Sequence, residues 1–126
     1  NWQELHDEAK RVMRLSYSPY SKFAVGVAGL VNDGRIISGC NVENASYGLT
    51  LCAECSMISN LAMTGGGKII AALCVDSNGD YLSPCGRCRQ LLFEHGGPNM
   101  QLMTPDGPQP MSLMLPWGFG PGDLQK

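Results

Sequence analysis

Charge is scarce in this chain of 126 residues: Asp, Glu, Lys and Arg together supply 16%, against roughly 25% in an average soluble domain. Nine basic side chains face eleven acidic ones, for a formal net charge of −2. Such a balance speaks against a nucleic acid or an anionic membrane surface as partner, since both are gripped through basic patches. No apolar run approaches the roughly 18 residues of a membrane span. The first residues, Asn1, Trp2, Gln3 and Glu4, carry no signal-peptide pattern. A soluble, cytoplasmic protein is therefore the expectation. Internal repeats, linkers and low-complexity tracts are also missing, so residues 1–126 are expected to form a single domain. The glycine run Gly65-Gly66-Gly67 is not a phosphate loop, because no strand feeds it and no Gly-Lys-Ser/Thr follows. What the chain does have is 44% apolar residues, enough for a core that buries about two-thirds of the unfolded surface. Combined with so little charge, that content hints at a surface covered by another chain.

Trp2, Leu5, Ala9, Val12 and Met13 recur at helical spacing, with Glu4, Asp7, Glu8, Lys10 and Arg11 on the other side. They predict an amphipathic first helix ending near Ser16 to Pro19, with His6 on its solvated face. Phe23 to Val31 and Arg35 to Cys40 read as a hairpin closed by Asn32-Asp33-Gly34. A polar loop from Asn41 to Thr50 leads into a second helix over Leu51 to Met63, which the three glycines stop. Lys68 to Val75, almost wholly apolar, predicts a central strand. Pro84 opens a third helix reaching about His95. Met100 to Met103 reads as a fourth strand, and the turn at Pro105 to Pro108 leads to a short fifth. Strands alternating with helices predict an α/β fold, a three-layer αβα sandwich around a mixed five-stranded sheet.

Six cysteines stand at 40, 52, 55, 74, 85 and 88. Cys40 and Cys74 fall in strand-like runs and read as small buried hydrophobes. The other four form two Cys-x-x-Cys pairs, a spacing that in a reducing compartment points to metal or redox chemistry. Cys52 opens the second predicted helix, while Cys85 and Cys88 open the third. Residues three apart share a helix face, so Cys85 and Cys88 can bind one ion, and positive helix ends favour thiolates. Three thiolates on Zn²⁺ leave a fourth position for water, the mark of a catalytic site. In a first helical turn, the long side chain of Glu54 can curl toward such a metal and shuttle protons. Two plainer readings stand beside this one. Glu54 alone is an ordinary first-turn acid favouring the dipole. Cys52, Cys55, Cys85 and Cys88 together make a closed structural site or non-catalytic zinc-binding module, although 29 residues separate the two pairs, beyond the usual gap of about 15–20.

Cys52-Ala53-Glu54 followed by Pro84-Cys85-Gly86-Arg87-Cys88 resembles the signature of zinc-dependent deaminases. The likeness extends to Tyr17-Ser18-Pro19-Tyr20-Ser21-Lys22-Phe23 with Val25-Gly26, to Asn41-Val42-Glu43-Asn44-Ala45-Ser46-Tyr47, and to Leu115-Pro116 ahead of Phe119. In order and over nearly the whole chain, these segments resemble the small homotetrameric cytidine deaminases.

The resemblance implies one zinc per subunit on Cys52, Cys85 and Cys88, with Glu54 as the acid and base. It implies deamination of cytidine and 2′-deoxycytidine in pyrimidine salvage; the alternative within the same chemistry is another cytosine nucleoside, such as a nucleoside antibiotic. Asn41 and Glu43 resemble the pair that grips the ribose 3′-hydroxyl, against the plainer reading of loop polarity. Ala45 and Tyr47 resemble positions near the 5′-hydroxyl of a substrate in a neighbouring subunit. Phe23 resembles the aromatic packed on the pyrimidine, and Ala53 belongs to the substrate-binding set. Phe119 resembles the aromatic that crosses from another chain onto the base; its plainer role is a local staple of the chain end. Cys55 is the departure, since the family often has a charge-compensating Arg there. The two helix ends, or Arg87 or Arg89, must then offset the thiolate charge, with Cys55 a thiol close to the metal but not on it.

Overall fold

The computed structural model describes residues 1–125. Its strands are β1 (Gly26–Val31), β2 (Ile36–Cys40), β3 (Ile69–Val75), β4 (Tyr81–Leu82), β5 (Gln101–Thr104) and β6 (Gly107–Pro110). The helices are α1 (Trp2–Met13), α2 (Ala53–Met63), α3 (Gly86–Gly96) and the single turn α4 (Met111–Met114). One mixed sheet runs in the order β2-β1-β3-β5-β6, with β4 paired to β3. β1 is antiparallel to both β2 and β3, so β2 and β3 point the same way. Helix α2 follows β2, and α3 follows β3 after the two-residue β4, which pairs only with Cys74 and Val75 at the end of β3, so both helices start at one end of the sheet. In open α/β sheets that end, beyond the strand C-termini, is where ligands bind.

Two apolar layers flank the sheet. On one side Leu5, Ala9 and Met13 of α1 pack on Ala28, Leu73 and Val75. On the other Ala53, Met57, Leu61 and Leu92 of α2 and α3 meet Val27, Ile69, Ala72 and Cys74. The alternation along β3, with Ala72 and Cys74 toward one layer and Leu73 and Val75 toward the other, is the period of a strand buried on both faces. Two glycines let the helices lie close. A Cβ on Gly26 would stand 2.1 Å from the Ala9 carbonyl oxygen, and one on Gly39 2.4 Å from the Met57 nitrogen. α2 thus rests directly on β2, which fixes where its first turn begins.

The sandwich is as expected, but the sheet has six strands, not five. The extra one, β4, has two residues, too few to show any periodicity. It forms because the Asp76 carboxylate accepts from the Asn78 and Asp80 N–H groups, turning the chain back so that Tyr81 lies beside Val75. The first helix ends with its apolar pattern at Met13 and not near Ser16 to Pro19, because Tyr17 N–H turns to the Asn41 carbonyl. β1 starts at Gly26 and not at Phe23, since Asn41 ties up the preceding backbone. Val42 and Leu51 exchange both backbone hydrogen bonds, which delays α2 to Ala53. His6 is not simply solvated: its Nε2 lies 2.8 Å from the Gly79 carbonyl oxygen and its ring packs edge-on against Tyr81.

Candidate active site

Cys52 and Cys85 are the residues immediately before the first turns of α2 and α3. Neither helix opens on one of the preferred capping residues Ser, Thr, Asp or Asn, a choice worth about 1 kcal/mol per helix. Sulfur stands there instead, beside unpaired N–H groups. Cys88 comes one turn into α3, and the sulfurs of Cys52, Cys85 and Cys88 all lie within 4.8 Å of one another. Among the described residues this is the one group of three or more His, Cys, Asp or Glu side chains close enough to hold an ion. Cys55 is outside it, on a shallow groove along α2 with Leu51, Ser56 and Met63. The geometry gathers three sulfurs, not four.

Electrostatics suit a cation. The N–H groups of Cys88 and Arg87, at the open end of α3, hold the Cys85 thiol below its ordinary range. Burial pushes the thiols of Cys52 and Cys88 up, so protons stay on them until a positive charge displaces them. A bound divalent ion inverts that logic and deprotonates its thiols outright. Three free, converging cysteines on two rigid helix starts are a donor set that fits Zn²⁺.

Glu54 is in the first turn of α2 and only 4% exposed. Burial raises its carboxyl above the usual range, while its own N–H and the thiols of Cys88 and Cys74 draw it part of the way back. A cavity of ≈ 210 Å³ joins this carboxylate to all three sulfurs, and Asn41, Thr50, Ala53, Cys74 and Leu82 complete much of its wall. Arg89 is held by backbone carbonyls: its Nε donates to the Pro84 carbonyl and a terminal nitrogen to the Met114 carbonyl. Arg87 is exposed.

Asn41 lines the cavity, and its amide is a knot in the chain. Oδ1 accepts from Val25 N–H (2.9 Å) and from the Ser16 hydroxyl, while Nδ2 donates to the Phe23 carbonyl (2.8 Å). Glu43 belongs to a second concavity of ≈ 400 Å³ with Tyr20, Ser21, Asn44 and Tyr47. Its carboxylate accepts from the N–H groups of Tyr20 and Ser21 and from the Ser21 hydroxyl. Thr50 forms part of the wall of both hollows. Tyr47 is 76% exposed and meets Tyr20 edge-on. Phe23, Ala45 and Phe119 are exposed and line neither hollow. The chain end near Phe119 is held by other side chains: Gln90 donates to its carbonyl at 2.7 Å and the Phe93 ring closes on Gly118 and Gly120. The staple holds the backbone and leaves the Phe119 ring half-exposed. Two neighbours of the site were missed by the sequence reading: Thr50, and Cys74, whose place on the helix-bearing face followed from strand alternation.

Sulfurs at two helix starts with a buried glutamate between them define a metal-dependent deaminase centre, and the comparisons agree. The cytidine and deoxycytidylate deaminase zinc-binding region matches residues 1–104, and the chain belongs to that family. It is similar to the cytidine deaminase of Mycobacterium tuberculosis, 51% identical over 126 residues that span all of this chain and 95% of the relative. The crystal structure of the Mycobacterium leprae cytidine deaminase superposes with a TM-score of 0.91 at 65% identity, over 92% of this chain and 98% of that one. The Mycobacterium tuberculosis structure gives 0.93 at 52%, over 95% and 98%.

Proposed function

We propose that this chain hydrolyses the exocyclic amine of cytidine and 2′-deoxycytidine, releasing ammonia and leaving uridine and 2′-deoxyuridine for pyrimidine salvage. The observation that carries this reading is the single cavity shared by Glu54 and the sulfurs of Cys52, Cys85 and Cys88. Zinc held by those cysteines supplies the Lewis acidity that makes water a nucleophile near neutral pH. Glu54 takes the water's proton and gives it to the ring nitrogen next to the amino-bearing carbon. It then carries a second proton to the departing amine, a role suited to a carboxyl that burial raises above its usual range.

At ≈ 210 Å³ the deep cavity falls below the roughly 300 Å³ of small-molecule pockets. It takes the base, with Ala53 in its wall, while the sugar lies outward across Thr50 toward the second concavity. Asn41 and Glu43 keep capacity for a sugar hydroxyl beside their structural bonds: one Nδ2 hydrogen and spare carboxylate lone pairs. Phe23, which lines neither hollow in the single chain, is assigned to the pyrimidine from the Asn41 side, where its carbonyl accepts from the Asn41 amide. Ala45, Tyr47 and Phe119 act at a neighbouring subunit's site in a homotetramer. Support for the tetramer comes from the bare apolar surface around these positions, with Tyr47, Leu49, Trp117 and Phe119 all exposed. Residues 1–126 act as one domain, and the six free thiols suit the reducing cytoplasm.

An absorbance assay tests the reading with cytidine, 2′-deoxycytidine, cytosine and cytidylate. Turnover of both nucleosides, with the base and the nucleotide at least about 100-fold slower, is expected. No turnover of either nucleoside refutes it. Light scattering should give a tetramer, and a fully active monomer contradicts the roles of Tyr47 and Phe119.

A further inference from the structure

Cys74 stands at the C-terminal end of β3, opposite Val27 and Leu82, with its side chain on the face that carries α2 and α3. It is 1% exposed, under the first turn of α2. Among the described residues Glu54 and Thr104 are the two buried polar groups. Thr104 is tied off within its own turn to the Gly107 carbonyl. Glu54 is not tied off in that way: it has to be held in a largely apolar wall and still present an oxygen to substrate.

We propose that Cys74 is a positioning residue for deamination, its thiol holding the Glu54 carboxylate from the sheet side of the shared cavity so that the free oxygen faces the three sulfurs. Of the thiols that wall the cavity beside Glu54, those of Cys88 and Cys74 are the two placed to donate to its carboxylate. Cys88 belongs to the group of three that can hold an ion, and a cysteine bound to a metal is a thiolate with no proton to donate. Cys74 lies outside that group, and a buried thiol keeps its proton. It is the side-chain donor that remains when the metal is in place. A thiol is a weak donor, strengthened here by a charged acceptor. The inference rests on Glu54 being the proton carrier.

The test compares Cys74→Val, which retains bulk without a donor, with Cys74→Ser, which retains a donor. Cys74→Ala removes the donor without adding volume, so a packing fault in the valine variant cannot decide alone. For each, kcat and KM for cytidine are measured with zinc content and Tm. A fall of about five- to tenfold in kcat per zinc is expected for Val and Ala, with KM within about twofold, and Ser within about twofold of the parent. Parental kcat in Val and Ala, or a Ser variant as slow as Val, overturns the proposal; a packing role alone lowers Tm and leaves kcat per zinc unmoved. A second readout needs no turnover. In zinc-loaded protein the infrared S–H band lost in Cys74→Val should lie at the lowered frequency of a bonded thiol and rise in Glu54→Ala. An unbonded frequency that Glu54→Ala does not move also overturns it. Glu54→Gln, assayed alongside, separates the two claims: near-parental turnover there removes the proton carrier itself, whereas a dead Glu54→Gln beside a normal Cys74→Val removes only the role of Cys74.

Discussion

The deep cavity and the outer concavity are built by opposite means. In the deep cavity the three sulfurs and Glu54 are on or next to the first turn of a helix, and that helix is seated in the core through Met57, Leu61 or Leu92. Around Glu43 and Tyr47 the chain has almost no regular structure, only a single 3-10 turn at Tyr47–Leu49 and bridges from Val42 to Tyr17 and Leu51. Its shape is held by polar side chains, chiefly Asn41 and Glu43. Reaction chemistry needs atoms fixed to within about 0.5 Å, which packed helices provide. A binding surface tolerates a loop, and the concavity proposed for the sugar keeps Tyr20 and Tyr47 exposed. One half is set by packed helix starts, the other by loop hydrogen bonds.

Changes in the deep half should therefore be the most damaging, and they should strike turnover. Glu54→Gln is expected to keep zinc and lose at least about 10³-fold in kcat, because the amide cannot move the proton. Parental turnover in a zinc-loaded sample would place the proton carrier elsewhere. Cys88→Ala and Cys55→Ala then sort the four paired cysteines. Removing Cys88 should abolish stoichiometric zinc, measured by atomic absorption, together with activity. Removing Cys55, outside the group of three sulfurs, should leave zinc content unchanged. Sharp metal loss in Cys55→Ala would point to a closed site of four thiolates.

The two halves also differed in how far they could be read in advance. The spacing of Cys52, Cys85 and Cys88 on helix starts was legible because helix period, glycine stops and proline starts are local signals. Three layers followed from the alternation of elements. Glu54 was ambiguous by spacing alone, and its proposed role rests on its burial beside the three sulfurs. What stayed hidden is what forms at long range. β4 depends on a turn organised by Asp76, and the late start of β1 depends on Asn41, 16 residues away from the Val25 N–H that it accepts. That Asn41 and Glu43 brace the backbone could not be seen from loop polarity, since their partners at positions 16 to 25 are brought to them only by the fold. In Cys74 the same limit appears from the other side: a thiol in an apolar strand looks inert until a helix sets a carboxylate over it.

At the aromatic proposed to reach in from a neighbouring chain, the effects should be smaller and fall on binding. Phe119→Ala is expected to raise KM for cytidine about three- to tenfold, the worth of one aromatic contact, with kcat changed by less than about twofold. If kcat fell instead with KM constant, the ring would act in the chemistry of its own chain. Because the backbone there is held by Gln90 and Phe93, Tm should not move, and a drop in Tm would favour the local staple.

The smallest effect should be one of stability, and its sign follows from Glu43. The Ser21 hydroxyl first, then the N–H groups of Ser21 and Tyr20 and the charge of Lys22, hold this carboxyl below its usual range against the cost of burial. Its pKa is therefore lower in the folded chain than in the unfolded one. The stabilisation is present above the ordinary carboxylate pKa and fades as pH falls through the lowered folded value. Glu43→Gln keeps the shape and loses the charge. Its Tm should lie below that of the parent at pH 7, and the gap should close as the pH is taken below about 4. A gap that stays constant down to that acidity would mean the brace works by shape and neutral hydrogen bonding. Asn41, which cannot titrate, provides the contrast: the gap between Asn41→Ala and the parent should be the same at both pH values, because the N–H of Val25 loses its partner whatever the proton concentration.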